Sequence, residues 1–232
     1  MGKDDLFRKR KGQKADQLER LQRERAIGLR FLIVCEGKKT EPQYFMEFCQ
    51  FHQLRTSRVR VAPGDTGSSP GSVVACAEEL FDEDNKLGAD CYDRIFCVID
   101  RDKHATYDEA LKRIQELNGE NKPFVAIPSI PCFEYWLLLH FTYTRGFFQA
   151  TGKKSICDCV VSELRKQQGF SGYDKGQNGI YSLLRDKMST AIKHAKRAEK
   201  DAKQTGEDNP STDVHHLVAE LQDLAASHGR KR

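Results

Sequence analysis

The sequence lacks the features of an exported or membrane-spanning chain. Its N-terminal segment is charged and contains no apolar stretch that could serve as a signal peptide. Long hydrophobic runs are also absent, since even the apolar stretch 135–139 is far too short to span a bilayer. We therefore expect a cytoplasmic protein.

Paired cysteine motifs are missing as well, although the chain contains 8 cysteines. There is no C-x-x-C, and the close pair Cys157 and Cys159 has no second pair with which to complete a zinc site. Cys35 and Cys97 lie inside apolar runs, where a thiol behaves as a small hydrophobic side chain. In a reducing compartment this arrangement indicates thiols rather than a disulfide framework.

Neither sign of charge dominates the chain, whose net charge is only +4. Basic residues are concentrated in 1–29, with nine Lys or Arg against five Asp or Glu, and again in 185–203. Such segments attract a polyanion by releasing its counterions, but a solvated helix face and a frayed tail show the same pattern. Both interpretations stay open, and we treat 1–29 as a basic arm that is mobile or partly helical.

Residues 30–130 alternate between strand patterns and helix patterns. The predicted strands are 30–36, 58–62, 94–99 and 124–127, and apolar residues at helical spacing follow each of the first three. Right-handed crossovers between such strands produce an open sheet with helices on both faces. The sequence therefore predicts an α/β core with a mostly parallel, four-stranded sheet.

Residues 131–228 show only helical patterns. The predicted helices are 132–141, 153–167, 180–203 and a last one that begins near Val214. A glycine-rich loop at 169–176 separates the second helix from the third. No strand is expected after residue 127, so we predict an all-helical C-terminal region packed on the α/β core.

Three carboxylates follow the predicted strands. Glu36 ends the first strand, Asp100 ends the third, and Asp102 comes two residues later. Ligands of open parallel sheets bind at the carboxyl ends of the strands, and residues i and i+2 of an extended segment project to the same side. Like charges gathered there require a cation, and ligands that are all oxygen suit Mg²⁺, for which Mn²⁺ can substitute. The sequence therefore predicts a metal site formed by these three residues.

Two other interpretations of these carboxylates stay open. Each could simply cap a helix or lie in solvent at the end of its strand. The D-x-D pair at 100–102 is also a feature of haloacid-dehalogenase-type phosphatases. In those enzymes, however, it lies on the first strand and is followed by Thr or Val two residues later, whereas here it lies on the third strand and precedes Lys103 and His104.

Further polar side chains are candidates for contacts with substrate or phosphate. The lysines after Glu36 lack the upstream glycine of a P-loop, so they either stabilise a phosphate or balance acidic neighbours. Glu134 starts a helix after the fourth strand and can approach the same crevice, and Lys175 either reaches a phosphate or stays solvated. His140 is either catalytic or a hydrogen-bonded core residue. The candidates are Lys38, Lys39, Thr40, Glu41, Glu134, His140 and Lys175.

Four segments resemble the motifs of one protein family. Residues 35–45, CEGKKTEPQYF, resemble the opening signature of the RloB-like family, whose core is a Toprim domain. Residues 99–102, IDRD, match the Toprim aspartate motif. Residues 131–141 and 209–215 are similar to two later motifs of the family. The resemblance extends from about residue 30 to about residue 220, which is most of the chain.

This resemblance implies a Toprim fold in which Glu36 acts as general acid and base while Asp100 and Asp102 hold Mg²⁺. It also implies a role in bacterial anti-phage defence of the abortive-infection type, beside an RloA-like ATPase partner. Nucleic acid would be the target, with RNA such as a tRNA anticodon loop favoured slightly over DNA. A homo-oligomer is compatible with the sequence, which does not define the oligomeric state.

The sequence thus supports three functional hypotheses. The favoured one is a metal-dependent nuclease in which water attacks a phosphodiester and Glu36 handles a proton. The second is a non-catalytic adaptor that binds nucleic acid through the basic segment 185–203 and serves an ATPase partner. The third is a metal-dependent phosphatase of small substrates.

Overall fold

The computed structural model describes residues 28–63, 69–86, 92–101 and 105–229. Residues 1–27 of the predicted basic arm lie outside these ranges, and so does Asp102. None of the helices in the described part of the chain combines the length and the apolar character that a membrane-spanning helix needs.

The core of the fold is an open, mostly parallel sheet, which confirms the predicted α/β class. Its strands are β1 (Phe31–Cys35), β2 (Val59–Pro63), β3 (Arg94–Asp100), β4 (Phe124–Ile130) and β5 (Ser211–Thr212), arranged in the order β2-β1-β3-β4-β5. The first four strands are parallel to their neighbours. Helices connect them in sequence, so the carboxyl ends of β1 and β3 lie side by side in the middle of the sheet.

The predictions of a four-stranded sheet and an all-helical C-terminal region were wrong in one respect. β5 comes from the C-terminal region and pairs antiparallel with the end of β4, with Ser129 opposite Thr212. The hydroxyl oxygens of these two residues are 2.9 Å apart and buried. A strand of two residues is too short to show any alternation of polar and apolar residues, and therefore the sequence pattern missed it.

The predicted end of β4 was also too early, because the strand continues through Pro128 to Ile130. Proline lacks only the N–H group. Its carbonyl still accepts a hydrogen bond of 2.9 Å from the backbone N–H of Asp213. Pairing on both sides thus carries β4 past the proline and brings the start of the following helix to the edge of the sheet.

Eight α-helices surround the sheet in the described part of the chain. The predicted helix 180–203 is interrupted by a 3₁₀ turn at Arg185–Lys187, and the predicted helix 132–141 is only five residues long. The helices are α1 (Thr40–Phe51), α2 (Pro70–Lys86), α3 (Tyr107–Gly119), α4 (Glu134–Leu138), α5 (Ile156–Leu164), α6 (Ile180–Leu184), α7 (Met188–Thr205) and α8 (Val214–Gly229).

The sheet is buried on both faces, as the continuous apolar character of its strands predicts. Successive residues of β1 alternate between the faces. Phe31, Ile33 and Cys35 join a hydrophobic cluster with α1 and α4 to α8, whereas Leu32 and Val34 join a second one with α2 and α3. The C-terminal helices therefore cover one face of the sheet together with α1.

No disulfide joins any of the cysteines in the described part of the chain. Cys35 and Cys97 are buried in the sheet, where burial raises the pKa of both thiols well above the usual range. The structure thus agrees with the interpretation of these residues as core thiols.

Candidate active site

Two of the three predicted carboxylates meet at the carboxyl ends of neighbouring strands. Glu36 directly follows β1, and its backbone N–H donates to the carbonyl of Val98 in β3 at 3.1 Å. Asp100 is the last residue of β3, and its backbone N–H donates to Glu36 Oε2 at 3.0 Å. The third carboxylate, Asp102, lies outside the described residues. The adjacency of β1 and β3 therefore brings Glu36 and Asp100 together although 64 residues separate them.

These two residues lie in a cavity of about 390 Å³. The cavity contains every described candidate from the sequence except His140. It also contains Gly37 of the family-like CEG segment, and Cys157, which no sequence motif indicated. Four carboxylates and three lysines line it, so that it holds charges of both signs. Its lining residues are Glu36, Gly37, Lys38, Lys39, Thr40, Glu41, Asp100, Glu134, Cys157 and Lys175.

The turn between β1 and α1 carries Glu41 into the cavity. A Cβ atom at Gly37 would lie 2.1 Å from Glu41 Oε2, so only glycine leaves room for this carboxylate. Glu41 lies in the first turn of α1, where the helix dipole favours a negative charge. Both Glu36 and Glu41 are buried, with 6% and 7% of their surface exposed. The glycine in the family-like CEG segment thus has a steric role at the site.

The glycine-rich loop before α6 packs against the start of α1. The backbone N–H of Gly176 donates to Thr40 Oγ1 at 3.0 Å. Gly176 has a φ of +86°, and a Cβ atom there would lie 2.6 Å from Lys39 Cδ. This close approach holds the neighbouring Lys175 at the cavity, although nothing in the loop sequence distinguishes that lysine from a solvated one.

Glu134 reaches the same cavity from the next strand. It lies in the first turn of α4, directly after β4, and only 2% of its surface is exposed. Lys175 Nζ lies 3.3 Å from Glu134 Oε1, and the Tyr173 hydroxyl donates to the same oxygen at 3.3 Å. Burial opposes the charge on Lys175, but Glu134 raises the pKa of the lysine above its usual value. The glycine-rich loop therefore neutralises a buried carboxylate.

Burial and the neighbouring acidic groups disfavour the charged forms of Glu41 and Asp100. Burial, followed by the charge of Glu134, raises the pKa of Glu41 to about 7. Burial also raises the pKa of Asp100 well above its usual range, with Glu41, Glu134 and Glu36 adding to the shift. Asp100 Oδ1 is buried and has no hydrogen-bond partner among the described residues. A cation in the cavity would reverse these shifts and supply the missing partner.

The donor set of the cavity fits Mg²⁺. Its carboxylates offer hard oxygen ligands, and Mg²⁺ usually takes only one or two of them while it keeps several waters. Glu36 and Asp100 are the described residues that could hold such an ion. Among the described residues, no three carboxylates of the cavity bring one oxygen each within 4.8 Å of the others. Glu199, His215 and His216 on α7 and α8 do bring their ligand atoms this close, but they lie outside the cavity lining.

His140 lies apart from the cavity lining. It follows α4 with 1% of its surface exposed, and its Nδ1 atom is 3.0 Å from the carbonyl oxygen of Trp136. Burial lowers the pKa of the imidazole to about 4. The imidazole is thus buried and held through Nδ1, while its Nε2 atom has no hydrogen-bond partner among the described residues.

Comparison with known proteins agrees with the motifs. The family model described as RloB-like protein matches residues 31–221. No curated protein and no solved structure matches the chain. The matched segment extends from β1 to α8 and includes every described residue of the cavity, and the chain therefore belongs to the RloB-like family.

Proposed function

We propose that this protein is a Mg²⁺-dependent nuclease of the Toprim type whose active site is the cavity at the ends of β1 and β3. One observation carries the proposal. Glu36 and Asp100 meet in a cavity that also contains three lysines, and Asp100 Oδ1 is buried there without a hydrogen-bond partner among the described residues. Such a site suits a cation together with a phosphate group.

In this proposal the carboxylates have two roles, metal binding and proton transfer. Asp100 and Glu36 would hold the ion together with Asp102, which lies outside the described residues. Bound Mg²⁺ would offset charge that develops on the attacking and leaving oxygens of a phosphodiester. Glu36 would also accept or return the proton of the attacking water. Its orientation is set by the hydrogen bond from the backbone N–H of Asp100.

The lysines supply the positive charge that attracts the substrate. Lys38 and Lys39 are exposed at the rim of the cavity, and Lys175 is half-exposed above Glu134. Each can contact a phosphate oxygen as a compact point charge. The mixture of four carboxylates with these lysines favours a phosphodiester chain over a neutral substrate.

The proposal is tested by incubating RNA and DNA panels with Mg²⁺, with and without a chelator, using the wild-type chain and Asp100→Asn. The amide has nearly the same shape as the carboxyl group, and burial, which raises the pKa of Asp100, disfavours its charged form, so we expect the neutral amide to be tolerated here. We expect cleavage by the wild type alone and only with metal. Equal cleavage by both chains would refute the assignment.

Membership of the RloB-like family supports a proposal for the target and the biological role. RNA, for example a tRNA, is proposed as the target, within a bacterial anti-phage defence system that includes an RloA-like ATPase. Sequencing of RNA and DNA ends from phage-infected cells that carry wild type or Asp100→Asn, with and without the neighbouring ATPase, tests this part. New ends that appear in DNA alone would contradict an RNA target.

A second candidate function, a nucleic-acid-binding adaptor, is favoured by the exposed face of α7. Lys196, Lys200 and Lys203 line a surface pocket there. An adaptor would bind nucleic acid with a strong dependence on salt, and it would do so equally well after loss of the cavity carboxylates. Salt-dependent binding by wild type without any cleavage of the panels would favour the adaptor. Turnover of a simple phosphomonoester, with nucleic acid left intact, would instead indicate a phosphatase.

A further inference from the structure

A second cluster of metal-ligand side chains lies between α7 and α8. Glu199 belongs to α7, and His215 and His216 belong to the first turn of α8. Glu199 Oε2 lies 3.2 Å from His215 Nε2 and 3.3 Å from His216 Nε2. One ligand atom from each of the three residues lies within 4.8 Å of the others. The packing of two helices thus creates a compact group of two nitrogens and one oxygen.

The hydrogen bonds of His215 define which ring nitrogen faces the cluster. Its Nδ1 atom lies 3.2 Å from the carbonyl oxygen of Thr212, which can only accept a hydrogen bond. Nδ1 therefore carries the proton in the neutral ring, and the lone pair lies on Nε2. A histidine held in this way by a backbone carbonyl has the orientation and tautomer of a metal ligand.

Two acceptor atoms therefore face each other inside the protein. His215 has none of its surface exposed, and its Nε2 atom makes no hydrogen bond within the described part of the chain, although Glu199 Oε2 is 3.2 Å away. With the ring neutral, the pair has two lone pairs directed at one another and no proton between them.

Two of the three separations between the ligand atoms match those around a tetrahedral ion, and the third lies within 4.8 Å. Ligands that lie about 2.0–2.1 Å from such an ion are separated from one another by about 3.3–3.4 Å. Both measured separations, 3.2 and 3.3 Å, are close to that value. Lys203 Nζ lies 2.5 Å from Glu199 Oε1, which leaves Oε2 as the single ligand oxygen of Glu199.

We propose that Glu199, His215 and His216 bind a Zn²⁺-class divalent transition-metal ion and so clamp α7 to α8. Imidazole nitrogen suits Zn²⁺, Co²⁺ and Ni²⁺, whereas Mg²⁺ prefers oxygen. His216 is half-exposed, so that a water can occupy the fourth position and the ion can enter from solvent. The clamp adjoins β5, whose Thr212 both pairs with β4 and orients His215.

The test uses the full chain in the Asp100→Asn background, which removes the proposed Mg²⁺ ligand, and compares His216→Ala and Glu199→Gln with Glu163→Gln. Glu163 is an exposed α5 carboxylate paired with a lysine, so it is a matched control for Glu199. Zn²⁺ affinity is measured by competition with a chromophoric chelator, and Co²⁺ is added as a visible probe. Circular dichroism establishes that each variant is folded, and both cluster substitutions lie at partly exposed positions.

We expect one Zn²⁺ per chain in the parent and in Glu163→Gln, and an affinity at least about 10-fold weaker in His216→Ala and Glu199→Gln. Co²⁺ should give the intense visible bands of a four-coordinate nitrogen and oxygen site in the parent and in Glu163→Gln, and not in the two cluster variants. Failure of the parent to bind Zn²⁺, equal affinity in all variants, or a thiolate-type Co²⁺ spectrum would overturn the proposal. Because no readout depends on cleavage, the result is independent of the proposed nuclease activity.

Discussion

The cavity at the ends of β1 and β3 and the α7–α8 cluster each hold a buried acceptor atom that a cation could satisfy, but they offer different ligand atoms. Each contains one buried acceptor with no hydrogen-bond partner among the described residues, Asp100 Oδ1 in the first and His215 Nε2 in the second. The cavity offers four carboxylates and three lysines beside the Cys157 thiol, whereas the cluster offers two nitrogens and one oxygen. Hard Mg²⁺ with phosphate suits the former, and a softer ion suits the latter.

The two regions also differ in size and in their place in the fold. The cavity is large enough for a phosphate group and lies where open parallel sheets bind their ligands. The cluster is compact and joins two helices, so an ion there would act mainly on stability. The two regions can therefore be separated by substitutions that affect one and leave the other intact.

The largest expected effect is that a substitution in one region removes cleavage and a substitution in the other removes Zn²⁺ binding. Asp100→Asn should lower the cleavage rate at least about 100-fold while Zn²⁺ binding is retained, because the amide is a poor ligand for Mg²⁺. His216→Ala should retain cleavage at saturating Mg²⁺ and lose Zn²⁺ binding. Cleavage assays and chelator competition on both variants measure the two properties. If His216→Ala abolished cleavage as completely as Asp100→Asn, the two regions would not be separate.

A smaller effect is expected from Gly37→Ala. The added methyl group would overlap the carboxylate of Glu41, which must then leave its position in the cavity. We expect cleavage to fall about 10- to 100-fold, since misplacement of a charge by about 1 Å has effects of this size. The melting temperature should change little, because the displaced group is the end of a flexible side chain. Gly119→Ala in α3, where a Cβ atom meets nothing within 4 Å, is the matched control.

Lys175→Met should act on substrate binding more than on the chemical step. The change removes one positive charge from the cavity and leaves the buried carboxylate of Glu134 without its lysine. We expect KM for nucleic acid to rise with a smaller change in kcat, and the slope of log affinity against log salt to fall by about 0.7–0.9. Lys166→Met, which removes an exposed lysine paired with Glu163, should leave both quantities unchanged. A loss confined to kcat would contradict a role in binding.

The smallest effect is a pH dependence of stability in the metal-free protein. The pKa of Glu41 is raised to about 7, mainly by burial and then by Glu134, so the folded state holds a proton that the unfolded state has already released. This contribution to stability is fully present below the unfolded pKa and is lost as the pH rises through 7. The free energy of unfolding of Glu41→Gln, relative to that of the wild type, should therefore increase by about 1–2 kcal/mol as the pH rises from 5.5 to 8.

Denaturant unfolding of both chains in chelator at several pH values measures this gain. The comparison with Glu41→Gln cancels the opposite contribution of the buried histidines, whose pKa values are lowered. Saturating Mg²⁺ should reduce the gain, because a cation in the cavity favours the charged form of Glu41. A difference between the two chains that is independent of pH would contradict the raised pKa.

Much of the cavity could be predicted before the fold was known. The strand patterns around Glu36 and Asp100 are strong because both strands are buried on two faces, and the rule for open parallel sheets then brings their ends together. Glu134 was predicted in the same way, from its position after a strand. Lys175 and Cys157 could not be predicted with the same support, since they come from a loop and a helix whose own sequences carry no signal for the site.

The sequence by itself determined the α/β core and the positions of Glu36 and Asp100 at strand ends, because the periodicity of buried side chains is a local property of the backbone. The tertiary structure alone decided four further features: the two-residue strand β5, the exclusion of His140 from the cavity, the Glu134–Lys175 pair, and the meeting of Glu199 with His215 and His216. These features depend on how distant segments pack against each other, and the local sequence pattern of either segment does not predict such contacts.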